Sequence, residues 1–166
     1  MLDYLQKNGL KAYREIKTLT EQPDFLFSSD PALMKSEACH NYRYIHGLSR
    51  LLHKNRITND QTVHILMYVE KSLERYVRKH YRDKKFVFHI YADALIPAFT
   101  VWMTSDHEGE AESESEEASS SVTTLPEMVR WFTEHAFFNG IPIMEGNDGE
   151  DSTSPNHDHY SNVIQT

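Results

Sequence analysis

Residues 58 to 85 constrain the fold more than any other stretch, because they specify one long amphipathic helix that ends in a run of cations. Thr58-Asn59-Asp60 supplies the start. Val63, Leu66, Val69, Leu73, Tyr76, Val77 and His80 then recur at the three-and-four spacing of a buried helix face. The other side carries Lys71, Arg75, Arg78, Lys79 and Arg82, which a 3.6-residue period gathers into a single basic stripe. Glu74 interrupts it, four residues before Arg78 and therefore placed for an ion pair.

Two further helices are expected ahead of it. Leu2, Leu5, Ala12, Tyr13, Ile16 and Leu19 share one face of a first helix, weakened at Gly9 by roughly 1 kcal/mol relative to alanine and ended by Pro23. Asp24 to Ser29 reads as a loop pinned by its aromatics. Asp30-Pro31 then pairs an N-cap acceptor with proline at the first helical position. Met34, Ala38, Asn41, Ile45, Leu48 and Leu52 form the buried stripe of a second helix closing near Asn55. Short connections between three helices favour antiparallel neighbours.

Residues 86 to 103 are the most apolar stretch and long enough to raise the question of a membrane span. Asp93 at its centre would cost about 2.5 to 3.5 kcal/mol there, and His89 and Pro97 add to that. With β-branched and aromatic residues at both ends, two strands over 86–91 and 98–103 are expected, turning around Asp93 to Pro97. Beyond them, residues 105 to 122 are rich in serine and glutamate, with like charges and almost nothing to bury, and read as a disordered linker. Thr124-Leu125-Pro126-Glu127 is a capping box that opens an apolar helix through Met128, Trp131, Phe132, His135 and Phe138, stopped at Asn139-Gly140. After a short edge strand at Ile141 to Met144, the chain turns polar again.

The expected fold is α+β and mostly α: a three-helix antiparallel body with a small β-hairpin, then a C-terminal amphipathic helix after the acidic linker. The divisions are 1–104 for the basic body, 105–122 for the linker, 123–145 for the helix and short strand, and 146–166 for a disordered acidic tail. Charge follows the same divisions. Residues 1–104 hold 16 Lys+Arg against 11 Asp+Glu, a net of +5, whereas 105–166 hold Arg130 against 14 acids, a net of −13; together these make the −8 of the whole chain. A single cysteine, Cys39, excludes an internal disulfide and a cysteine-cluster zinc site, and its helical setting suggests a small buried thiol. The N-terminus lacks the basic start and long apolar core of a signal peptide, so cytoplasm or nucleus is the expected location.

Chemistry is sparse. Of ten histidines, His40, His46 and His53 are spaced six and seven apart on one helix, too far for chelation, and His157-Asp158-His159 is a terminal triplet suited at most to weak metal contact. Asn147 to Asp151 lacks the alternating ligands and closing glutamate of a calcium loop. No phosphate-binding glycine loop or nucleophile motif occurs, so neither a cofactor nor a metal is expected. Arg75 and His80, separated by four residues, resemble the arginine–histidine pair of the small helical ribonucleases of the HEPN class. That resemblance implies RNA cleavage, with histidine moving a proton and arginine holding a phosphate. Arg130 and His135 share the spacing, and the polar residue that usually follows the arginine is Tyr76 here.

These features order the functional readings. First is a non-enzymatic regulatory or adaptor protein that binds another protein, through the stripe (Lys71, Arg75, Arg78, Lys79, Arg82) and the aromatic residues Trp131 and Phe132. Second is a nucleic-acid-binding regulator whose stripe follows a phosphate backbone while Tyr76 or Tyr81 stacks a base. The HEPN-like ribonuclease is third.

Overall fold

The structure is a computed structural model, and it describes residues 1–106, 123–138, 141–142 and 157–166. Its N-terminal part is α1 (Leu2–Asn8), α2 (Leu10–Glu21), a 3-10 turn at Pro31–Leu33, α3 (Met34–Asn41), β1 (Arg43–Ile45) and α4 (His46–His53). The long helix follows as α5 (Asn59–His80), then β2 (Lys85–Asp93), β3 (Ala98–Ser105), α6 (Leu125–His135), the two-residue strands β4 (Phe137–Phe138) and β5 (Ile141–Pro142), and β6 (His157–Gln165). One sheet has the order β1-β3-β2-β6, antiparallel throughout, and β4 pairs with β5 separately.

This corrects the expected three-helix body with a small hairpin: the described residues form six α-helices and a four-stranded antiparallel sheet. The two expected strands are its central pair, turning where Asp93 Oδ1 accepts the backbone N–H groups of Leu95 and Ile96. Tertiary contacts supply the rest. The expected second helix stops at Asn41, whose amide donates to Leu26 O and Met103 O while its oxygen accepts from Leu26 N. Those bonds tie it to a loop and a strand at once, and the chain leaves helical geometry to lay Arg43–Ile45 along Val101–Phe99. Arg43 holds the crossing by donating to the carbonyls of Pro23, Asp24, His40 and Tyr42.

Two glycines set the helix contacts around α2. At Gly9, which separates α1 from α2, a Cβ would come within 2.4 Å of Leu51 Cδ1, and at Gly47 one would lie 2.3 Å from the backbone nitrogen of Ala12. The α2–α4 approach at Gly47 is therefore backbone to backbone, closer than any larger residue permits.

Residues 157–165, read from composition as polar tail, form the second edge of the sheet. Tyr160 and Asn162 donate to Oε1 of the buried Glu70 on α5, at 3.1 and 2.7 Å, and Ile164 enters the core. The core lies between the helices and one sheet face: Phe86, Phe88, Ile90 and Ala92 of β2, Phe99, Val101 and Met103 of β3, and Ile164 meet the buried residues of α5 and α6. The expected linker lies outside the described residues, apart from Ser105 in β3 and Asp106, and so does the tail up to residue 156. Cys39 is exposed on α3 rather than buried. Among the described residues no helix is long and apolar enough to cross a membrane.

Candidate functional site

The basic stripe forms as its spacing requires, with Lys71, Arg75, Arg78, Lys79 and Arg82 all exposed. Glu74 takes up two of the five cations: Lys71 Nζ donates to it at 2.9 Å and Arg78 at 3.0 Å, and those contacts hold its carboxyl below the usual carboxylate range. Arg75, Lys79 and Arg82 face solvent. The candidate stacking rings do not join them. Tyr81 packs edge-on against Phe27 and Phe86, and Tyr76 lies 4.6 Å from the exposed His80. Because Glu70 bonds to the inward side chains of β6, α5 lies under the core face of the sheet, and its stripe points away from it.

Trp131 and Phe132 sit on a helix packed against its own chain. Phe132 is fully buried with its ring 4.5 Å from Phe99, while Trp131 is half-buried and stacks on His135 at 5.0 Å. The helix starts at the capping box, where Thr124 and Glu127 satisfy each other's backbone N–H groups.

The sequence did not mark the other face of the sheet as a site. Strand alternation places Lys85, Val87, His89, Tyr91 and Asp93 of β2 on this side, with Thr100, Trp102 and Thr104 of β3, Tyr44 of β1, and His157, His159, Ser161 and Val163 of β6. None of these residues belongs to the core cluster beneath the helices. The centre is a stack of nearly parallel rings: Trp102 on His89 at 4.7 Å, His89 beside His159 at 5.1 Å, and Trp102 beside His159 at 5.6 Å. His157 stacks on Tyr91 at 4.8 Å, and Tyr42 leans on Trp102 at 4.7 Å. His89 Nδ1 and His159 Nε2 lie 2.9 Å apart, so one nitrogen carries the shared proton and the pair tolerates at most limited charging.

Electrostatics agree with that geometry. Burial, reinforced by His159, pushes the His89 imidazole down to about 4. His159 is lowered as well, by burial and by His157, with Asp158 opposing. Both rings are therefore neutral at physiological pH. Tyr42 and Tyr91 are raised, chiefly by burial, and stay protonated. The centre of the face, His89, His159 and Trp102, is thus uncharged, with Lys85 at one end of β2 and Asp93 at the other. Trp102 is only 9% exposed beneath its neighbours, whereas Tyr44 is 55% and Val163 58% exposed. The period-two alternation of 86–103 could have indicated His89, Tyr91 and Trp102. Nothing local ties them to His157 and His159, which arrive from the far end of the chain.

Other sites carry less chemistry. Among the described residues no three His, Cys, Asp or Glu side chains are grouped to hold a metal. A cavity of about 420 Å³ at one end of the sheet, lined by Ser28, Lys84, Lys85 and Ser105, also contains Asp83 and Asp106, so it concentrates neither sign of charge. Comparison with family models, with curated proteins and with solved structures finds no match for this chain.

Proposed function

We propose that this chain is a non-enzymatic regulatory or adaptor protein that works by binding another protein, and that it does so through the ring-bearing face of its sheet. One observation carries the reading: α5 and α6 pack on one face of a four-stranded sheet, and the other carries stacked rings over a buried β3, with Tyr44 and Val163 exposed on its flanking strands and Lys85 and Asp93 at the two ends of β2. Aromatic-rich, charge-poor surface with a polar rim is the composition of a protein interface core. A nucleic-acid surface needs cations and stacking rings together, and here they lie on opposite sides of the sheet. The proposed compartment is cytoplasm or nucleus, where the exposed thiol of Cys39 stays reduced.

The test is affinity capture with the full chain from extracts of its source, using three forms: wild type, Tyr42→Ala/Tyr44→Ala, and Arg75→Glu/Lys79→Glu/Arg82→Glu. The tyrosine variant should lose the captured protein and the charge-reversed variant keep it. The opposite pattern, or steeply salt-dependent binding of single-stranded nucleic acid that only the charge reversal abolishes, overturns the reading in favour of the stripe.

A further inference from the structure

Among the described residues, the backbone directions within the sheet leave one edge without a partner. Thr166 N donates to Lys84 O at 3.0 Å and Asp106 N to Lys85 O at 2.9 Å, which sets the alternation of both ladders. Even-numbered residues of β2 exchange backbone bonds with β6 and odd-numbered ones with β3. On β6, therefore, Asp158, Tyr160, Asn162 and Ile164 turn their peptide groups inward, and the odd-numbered residues turn theirs out. At His159 the outward N–H is already taken, by Asp158 Oδ1 at 2.9 Å. Ser161, Val163 and Gln165 have no backbone partner on that side among the described residues.

The opposite edge is treated differently. Where β3 runs past the three-residue β1, side chains of α3 close it: Asn41 donates to Met103 O at 3.0 Å, and Glu37 Oε2 accepts from Ser105 N at 2.9 Å. Among the described residues no such device protects residues 161–165. The stretch Ser161-Asn162-Val163-Ile164-Gln165 has no charge, proline or glycine, and Val163 stands out from it. Proteins that keep an edge strand single usually place a lysine, a proline or a bulge there.

We propose that residues 161–165 pair antiparallel with the same residues of a second copy, across a two-fold axis at Val163, joining two four-stranded sheets into one. In this register Val163 faces Val163, Ser161 faces Gln165, and Asn162 faces Ile164. Each copy supplies three outward N–H donors and three C=O acceptors to the other. The segment is self-complementary, as an isologous contact requires, and opposes no like charges despite the net charge of −8. The one acid of the strand, Asp158, is held at its start by Thr123 and by the backbone of His159. A second copy is favoured over a free peptide because its strand is already ordered by its own ladder to β2 and brings no cost of ordering a chain. Directly opposed residues point to the same side, so the two ring-bearing faces become one continuous surface. The pairing holds whether or not that surface binds a partner.

Sedimentation and light scattering of the full chain from low to high micromolar concentration should show a monomer–dimer equilibrium. Amide exchange at Ser161, Val163 and Gln165 should slow as the dimer forms. Val163→Pro removes the axial N–H of each copy and leaves the inward ladder intact. It should raise the dimer dissociation constant about thirtyfold or more, the equivalent of two backbone hydrogen bonds. Val163→Lys places two cations at the axis and should do the same, with circular dichroism reporting the unchanged monomer fold. A wild type that stays monomeric at every concentration overturns the proposal. So does a dimer indifferent to both substitutions, or protection of residues 161–165 that is already complete in the monomer.

Discussion

Glu70 is the residue on which the attachment of β6 turns. It is 5% exposed and accepts hydrogen bonds from Tyr160 and Asn162; burial, reinforced by Glu70, pushes the Tyr160 hydroxyl up to about 12. Glu70→Ala leaves two donors facing a void, and urea unfolding should register a loss of roughly 2 to 4 kcal/mol. Glu70→Gln keeps one acceptor oxygen and should lose less. In both variants the Tyr160 titration should move down from about 12 and stay above the ordinary 10, because burial, the larger cause, remains. His89 makes the sheet acid-sensitive. Its folded-state value near 4 lies below the ordinary 6.5, so as pH falls the unfolded chain takes up the proton first. Stability from the neutral ring is complete above about pH 6.5 and is lost as pH falls toward 4. Between pH 7 and 5 the wild type should lose about 2 kcal/mol on this account. His89→Phe should flatten that slope; an unchanged slope assigns the acid sensitivity to other groups.

At the scale of elements, α5 and α6 are held by capping boxes at their starts, and α2 and α4 by their close approach at Gly47. Thr58 accepts from Gln61 N, and Gln61 Oε1 accepts from Thr58 N, closing a reciprocal box at the start of α5. Thr58→Ala should cost about 1 kcal/mol in thermal or urea unfolding. Gly47→Ala should cost more, roughly 1 to 3 kcal/mol, because the new methyl meets the backbone of Ala12 rather than a side chain that could turn away. For α6, burial of Phe132 against Phe99 makes the helix part of the core, and Phe132→Ala should cost about 3 to 5 kcal/mol. An unfolding curve that shows α6 leaving in a separate, earlier transition would contradict that.

On the scale of the whole molecule, the basic stripe of α5 and the ring-bearing face lie on opposite sides of the sheet, so each can be altered without the other. Reversing Arg75, Lys79 and Arg82 should leave stability within about 0.5 kcal/mol, as for other exposed positions, and should leave the dimer constant unchanged. Thr124 as a cap, the apolar stripe of α5 and the strand pair around Asp93 were legible because each depends on neighbours a few residues away. The second helix was misread because the stripe from Met34 to Leu52 is compatible with one continuous helix. Asn41 ends it by bonding to Leu26 and Met103, and neither partner is marked by local spacing.

Strand β6 is the sharper case. His157-Asp158-His159-Tyr160-Ser161-Asn162 has the composition of a solvated tail, and its period-two pattern shows no apolar contrast until Val163-Ile164. It is a strand because β2 offers a backbone edge, Glu70 waits beneath it with a buried carboxylate, and His89 meets His159. The ring-bearing face is therefore a product of tertiary structure, built from positions as far apart as 42, 89, 102 and 159. The sequence alone determined helix caps, helix faces and one hairpin, since these follow from the geometry of a few consecutive residues. Sheet order, the open edge and the side on which the histidines stack were decided only when distant segments competed for the same backbone hydrogen bonds.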